Sequence, residues 1–580
     1  MPCVRIAVAG LAAWLVFETS PANAQNCAFQ DLPNEHILNT TTRSYAIRIE
    51  STNSGSLSGK LQAELIAAID LATSEWNENA NDRAFQFSTS GLTVNRPLDD
   101  IPLTKAACDA EGINFSLVRV VPNINGAIGT FAKRCVDGSN VGHQFTISVG
   151  ISSSNVVTQW IDTPFQTTGQ DLVGIITHEF GHAVQLDHPT SVAVNATMSS
   201  PGATAGAARS LHQYDLECLA SSPRGIDRQL AVFQRRKTTA GWSAEAAVTT
   251  SSAKQLFATD VSVGVNVSLL GSFIPSLALH DTAYGWAPHI SGVAPNSFVT
   301  SVTNSIGPTN TILREGNQLE QRVYFGSFLD TPTAYAATSF HQLHYRRSTN
   351  EFATSTPVGP VQTCSAMSAW FMCLAETPVR VYDGVSVGFL DKAFAQHPSG
   401  VSVFAWANGD RTQATSNTDR ELHVAIGEID QNSLPQPDEL GLYSSRQPAV
   451  ACLNAAPYDC VIAFVDALDP LNTVRVRRFN VSQGTNRYVI GTEPGQPYSI
   501  PDGAGGTLRS GSRLAMFVQN GFFYLAAREP KAGSPISAFF SADGANWTFA
   551  VQVSASTVTG PTTMANYRES TLGNYFAYLR

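Results

Sequence analysis

Residues 171–188 read DLVGIITHEFGHAVQLDH. Leu172, Ile175, Ile176, Ala183 and Leu186 recur at helical spacing, so the segment predicts a helix with one apolar face. His178 and His182 stand four apart, one turn from each other on the same side, which lets two imidazoles grip one metal ion. Glu179 lies about 100° round the helix from His178, where a carboxylate reaches a metal-bound water without being a ligand. His188 comes six residues after His182, so the chain must turn back after about Val184 to deliver a third imidazole. Three neutral imidazoles leave a fourth tetrahedral position open for water. The bland alternative is two core histidines and a surface one. With 12 His in 580 residues, HExxH by chance is on the order of one in a hundred chains, and a third His at a fixed offset lowers that further.

The chain outside this helix has to be divided. A length of 580 residues exceeds what one core supports, since single cores stop growing near about 250–300 residues. Hydrophobic residues make up 43% and charged residues 14%, which excludes a disordered chain and long coiled coils. The net charge of -10 is the wrong sign for binding phosphate backbones, so nucleic acid is excluded as a partner. Arg5, the apolar stretch Ile6 to Phe17 and Ala22-Asn23-Ala24 before Gln25 have the form of a signal peptide over residues 1–24. Nothing later is apolar over a length that spans a bilayer. The expected location is secreted, extracellular or periplasmic. Of the nine cysteines, Cys3 leaves with the leader. The even remainder favours disulfides, with Cys364/Cys373 and Cys452/Cys460 as local staples and Cys108/Cys135 and Cys27/Cys218 following by elimination.

Residues 25–223 alternate strand and helix. Tyr45, Ile47 and Ile49 alternate as in a strand, and Leu61, Leu65, Ile66, Ile69 and Trp76 follow at helical spacing. Phe85 with Phe87, Phe115 to Val121, and Phe145 to Ile151 supply further strands, giving a mixed α/β domain. The basic stretch around Arg224, Arg228, Arg235, Arg236 and Lys237 reads as a linker over 224–240. Residues 241–580 hold short apolar runs cut by Gly, Pro, Asn and Asp, at Ser276–Trp286, Pro332–Phe340, Val361–Leu374, Val401–Trp406, Ala449–Val465 and Leu514–Ala526. A loose repeat of about 45–60 residues is the scale of a four-stranded blade, so the expected fold is all-β, a β-propeller of six or seven blades, with a pair of β-sandwiches as the alternative.

HEFGHAVQLDH resembles the zinc signature of the metzincin metalloendopeptidases, in their matrixin branch, and Asn195-Ala196-Thr197-Met198-Ser199-Ser200 resembles the segment that holds their Met-turn. The resemblance covers about residues 40–222. It implies an α/β metzincin-like catalytic domain that holds Zn2+ on His178, His182 and His188, with Met198 beneath the metal and Glu179 as general base in the hydrolysis of a polypeptide substrate. It also implies an extended substrate along Ala127 to Phe131. One departure matters: Gln185 stands where the family has the Gly that permits the left-handed turn, at a cost of roughly 1–2 kcal/mol.

Other features are weaker. Ser541-Ala542-Asp543-Gly544-Ala545-Asn546-Trp547 resembles the Asp-box turn of sialidase-type propellers and is equally a hairpin turn. His143 near Asp137 stands alone. Asp502-Gly503-Ala504-Gly505-Gly506 is a single copy, so Ca2+ is admitted but has no readable motif. The expected function is a secreted zinc endopeptidase. The rivals are an exported binding or adhesion protein whose propeller recognises glycan or protein, the peptidase fold being accessory, and a glycan-active propeller enzyme.

Overall fold

The computed structural model describes residues 38, 44–50, 59–79, 86–94, 101–121, 129–150, 171–189, 197–199, 209, 211, 215 and 218. From residue 230 to 579 it describes the strands named below and most turns within 384–554. The expected leader, Cys27, Cys364, Cys373 and the run 361–374 lie outside the described residues. No described helix is long and apolar enough to cross a membrane.

The N-terminal part is one sheet with three helices. Strands β1 (Ser44–Glu50), β2 (Gln86–Val94), β3 (Phe115–Val121), β4 (Gly129–Val136) and β5 (Gly142–Gly150) lie in the order β2-β1-β3-β5-β4. All neighbours are parallel except β4, which runs antiparallel to β5 at the edge. Parallel neighbours need crossovers, and α1 (Gly59–Asn79) supplies one between β1 and β2. Tyr45, Ile47 and Ile49 on β1 join Leu65, Ile69, Ala72 and Trp76 on α1 in one buried cluster with Phe145, Ile147 and Val149 of β5. Helix α3 (Leu172–Ala183) adds Leu172, Ile176, Phe180 and Ala183 to the same cluster. Each Leu, Ile, Val or Phe among them withdrawn from water contributes about 1.5–3 kcal/mol. Trp76 Nε1 donates to Thr177 O at 2.9 Å, pinning α3 to α1. The short helix α2 (Lys105–Glu111) is capped by Thr104 and ends at Gly112 in the left-handed region. The Cys108–Cys135 disulfide ties it to β4.

The second part is all strand among the described residues, as its short apolar runs predict. The basic stretch expected as a linker is corrected: Arg235, Arg236 and Lys237 lie in β6 (Leu230–Thr238), which pairs antiparallel with the last strand of the chain, Asn574–Leu579. The segment carries no alternation to read: Ala231 and Val232 are both buried and Phe233 to Thr238, charged residues included, are all half-buried. Between these two ends, apart from a two-stranded pairing of Gly359–Pro360 with Ser433–Leu434, lie five more sheets: Asp260–Ile290, Ser305–Pro357, Val385–Tyr443, Ala449–Ser499 and Ala515–Gln552. The first strand of each packs on the first strand of the next, and the Ala515–Gln519 strand packs on Thr562–Met564 of the closing sheet, so the succession of sheets forms a ring. The last three complete sheets begin at Val385, Ala449 and Ala515. That spacing exceeds the expected 45–60 residues because their connecting turns are long.

Burial follows position in the sheet. Val401–Ala407 and Cys460–Val465 are buried throughout, whereas the fourth strands Tyr488–Thr492 and Thr548–Gln552 are largely exposed. The cores sit between sheets: Val403, Val424 and Ile426 meet Val450, Ile462 and Phe479, and Val461, Val474 and Val476 meet Leu514, Met516 and Leu525. Cys452 and Cys460 face each other across a hairpin and are bridged. Ser541–Trp547 is a tight turn on the same principle: Asp543 Oδ1 accepts from the amides of Ala545 and Asn546 at 2.9 and 2.8 Å, and Trp547 Nε1 donates to Gly544 O. Its role is structural.

A buried ion pair joins the halves, and each partner is anchored within its own half. The Glu75 carboxylate of α1 is fully buried and lies 2.6 Å from Arg446 Nη2 of the ring. Its other oxygen accepts from Leu211 N at 2.8 Å, and Arg446 Nε donates to Gly511 O.

Candidate metal centre

The helix ends at Ala183, and the chain turns at once. Val184 N and Leu186 N donate to Gly181 O at 3.1 and 3.0 Å, and Gln185 takes φ 71° to reverse direction. Its amide Nε2 donates to Leu38 O at 3.0 Å, a buried bond that offsets part of the left-handed strain. His188 therefore returns to the helix. The three ring centroids are 5.1 Å (His178–His182), 5.1 Å (His178–His188) and 5.0 Å (His182–His188) apart. One nitrogen from each lies within 4.8 Å of the others, and this is the only such group among the described residues.

The second ring nitrogens fix the orientation. His178 Nδ1 donates to Thr197 O at 2.7 Å and His182 Nδ1 to Leu186 O at 2.9 Å, which leaves each Nε2 lone pair facing the shared point. His178 Nε2 and His188 Nε2 are 3.1 Å apart. Two ligands held about 2.0–2.1 Å from one ion in tetrahedral geometry stand roughly 3.3 Å apart, so the spacing suits a small divalent cation. Burial, with His188 alongside, holds the His178 imidazole down at about 4 despite its bond to Thr197, so the ring is neutral and able to ligate. The donor set fits zinc.

Glu179 follows His178 directly on α3. It is buried, and burial pushes its carboxyl up to about 8. A divalent cation at the imidazoles would favour its ionised form. Gly129 on β4 makes room for it, since a Cβ there would fall 2.4 Å from Glu179 Oε1. Met198 is fully buried beneath the helix, where a Cβ on Gly181 would meet its sulfur at 2.0 Å. Sequence reasoning missed what holds that turn: Asp215 accepts from Thr197 N at 2.9 Å and Met198 N at 3.3 Å. No local pattern links residues so far apart. His143 is 3.0 Å from Asp137 in a hairpin turn, away from the imidazole group.

No protein-family model and no curated protein matches the chain. Solved structures do. The GH43_1 enzyme from Xanthomonas citri complexed with xylotriose is 13% identical at a TM-score of 0.28, covering 48% of this chain and 87% of that one. A xylan beta-1,4-xylosidase from Bacillus halodurans is 11% identical at 0.28, over 50% and 54%. A family 117 glycoside hydrolase from Zobellia galactanivorans is 11% identical at 0.26, over 47% and 76%. The expectation of a matrixin-like metzincin endopeptidase is corrected accordingly. The matched structures are sugar-processing enzymes, no family or curated relative supports a peptidase, and a polypeptide substrate is given up. At these TM-scores the likeness transfers no activity, and the reading of this chain rests on its own side chains.

Proposed function

We propose that this chain is an exported binding protein whose ring of sheets, a six-bladed β-propeller, recognises a glycan, and whose N-terminal part holds one zinc ion on His178, His182 and His188. The observation that carries the metal reading is the meeting of three oriented imidazole nitrogens within 4.8 Å. Bound there, zinc would supply a Lewis-acid centre with one position open to water. Glu179, buried beside it, holds or releases a proton at its carboxylate. Thr197 and Leu186 keep the rings in register through their carbonyls.

Export is supported by the leader-like residues 1–24 and by the Cys108–Cys135 and Cys452–Cys460 bridges, which suit an oxidising compartment. The propeller reading is supported by the closure of first and last strands in one sheet, which removes free edges. A glycan ligand is supported by a composition with only 14% charged residues, which suits a neutral polyol better than an ionic ligand. Metal analysis and a glycan array on the full chain test both halves. The expected result is one zinc per chain and retention of a defined glycan class. A chain that purifies with no stoichiometric metal, or that retains no glycan, overturns the corresponding half.

A further inference from the structure

In the Val385–Tyr443 sheet, the fourth of the ring when the closing sheet that holds β6 is counted first and Ala515–Gln552 is the sixth, the strands Val401–Ala407, Glu421–Gly427 and Asp438–Tyr443 lie side by side. Their register sets Trp406, His423 and Glu439 in one row and pairs Glu421 with Tyr443 beside it. Because successive side chains alternate faces, Glu421 and His423 share a face. The Trp406 and His423 rings are 5.7 Å apart at 45°, and Trp406 is fully buried, so the indole is a floor rather than a platform. Glu421 and His423 are each 9% exposed, whereas Glu439 is exposed and marks the mouth. Glu421 Oε1 accepts from Gly441 N at 3.2 Å. His423 is nine-tenths buried, and its nitrogens, with no hydrogen-bond partner among the described residues, are not sealed in the core and reach solvent. An imidazole that opens its nitrogens to water within a titratable cluster marks a place for a ligand.

The chemistry of the row selects that ligand. A metal is disfavoured, since these groups do not bring three ligand atoms within mutual reach as the imidazoles do. Two carboxylates repel uronic, sulfated and phosphorylated compounds. Carboxylate oxygens accept from hydroxyl groups, while imidazole and phenol both donate and accept, which matches adjacent sugar hydroxyls. Burial, then the charge of Glu439, raises Glu421. Burial lowers His423, which keeps a neutral ring with one donor and one acceptor.

We propose that Glu421, His423, Glu439 and Tyr443 bind a sugar residue that carries no acidic group. This rests on the glycan reading and gives it a place. The test is titration calorimetry of the full chain with the oligosaccharide ranked first on a glycan array, repeated for Glu439→Gln and His423→Gln. Glu439→Gln replaces an exposed side chain and keeps the fold, so it stands even where His423→Gln does not express. The expected result is a neutral glycan bound about tenfold or more weakly by each variant, the size of a lost charge-assisted hydrogen bond. Zinc content and unfolding temperature of Glu439→Gln stay at wild type. An array led by acidic glycans, or wild-type affinity in Glu439→Gln, overturns this site while leaving the glycan reading in place. An array with no retained glycan overturns that reading, and this site falls with it.

Discussion

The three imidazoles of the metal centre come from one short stretch, His178 to His188, whereas the polar row on the fourth sheet is collected from Trp406, Glu421, His423, Glu439 and Tyr443 on three strands. The first site is fixed by one helical turn and one reversal, so it tolerates changes in the strands around it. The second depends on strand register, and a slip of one residue would turn its side chains to the opposite face. The two should fail differently under substitution. The sharpest way to show this is His178→Ala, for which the expected outcome is loss of zinc to background by plasma mass spectrometry and a large fall in unfolding temperature. Structural zinc sites release about 10 kcal/mol on binding. Glycan retention by the ring should persist in that variant. Loss of both functions together would break the comparison.

The next largest effect concerns the junction. Glu75 is fully buried on α1 and faces Arg446 of the ring at 2.6 Å. Removing one partner of a buried pair costs about 3–5 kcal/mol, because a charge is left uncompensated. Arg446→Met is therefore expected to lower stability by that amount in denaturant unfolding. Glu75→Gln with Arg446→Met should recover most of it. A single variant as stable as wild type would mean that the two halves are independent, and that the metal centre does not lean on the ring.

Legibility divides along the same line. The helix, its two ligands and the glutamate were readable because their spacing repeats a helical turn, the third imidazole because the motif demands a reversal before it, and α1 was readable from Leu61 to Trp76 by its helical spacing. Asp215, which holds Thr197 and Met198, was not, because a long-range bond leaves no periodic trace. In the ring the apolar runs at Val401–Trp406 and Ala449–Val465 did become strands. The basic stretch at Arg235 hid strand β6, since three consecutive charged residues, spread over both faces of the strand, look like a solvated linker. The family inference failed at another level. A motif reports which atoms can meet, and His178, His182 and His188 do meet, but it does not carry a substrate with it.

A smaller effect separates a turn that is only structural from a functional cluster. Burial would raise the Asp543 carboxyl, but the amides of Asn546 and Ala545 and the side chains of Asn546 and Ser541 hold it down to about 2. A depressed carboxylate contributes stability above its unfolded value, near roughly pH 4, and loses it as pH falls through about 2. Solvent screens this partly exposed turn, so Asp543→Ala is expected to cost about 1 kcal/mol at pH 7. The difference from wild type in urea unfolding should shrink steadily below about pH 3.5. Glycan affinity should stay unchanged. A tenfold loss of binding would move the recognition site from the fourth sheet to the sixth.

The smallest expected effect lies in the reversal that makes the metal centre local at all. Gln185 holds φ 71°, which costs a non-glycine residue about 1–2 kcal/mol. Against this stands its bond to Leu38 O, worth about 0.5–1.5 kcal/mol. Glycine would remove the strain and the bond together and add about 0.4–1 kcal/mol of unfolded-chain entropy. Gln185→Gly is therefore expected to stay within about 1 kcal/mol of wild type with full zinc content. Gln185→Ala keeps the strain without the bond and should lose about 1 kcal/mol. If the glycine variant instead falls below the alanine one, the left-handed strain at 185 is smaller than the chain entropy that glycine adds, and the return of His188 is not held back by this turn.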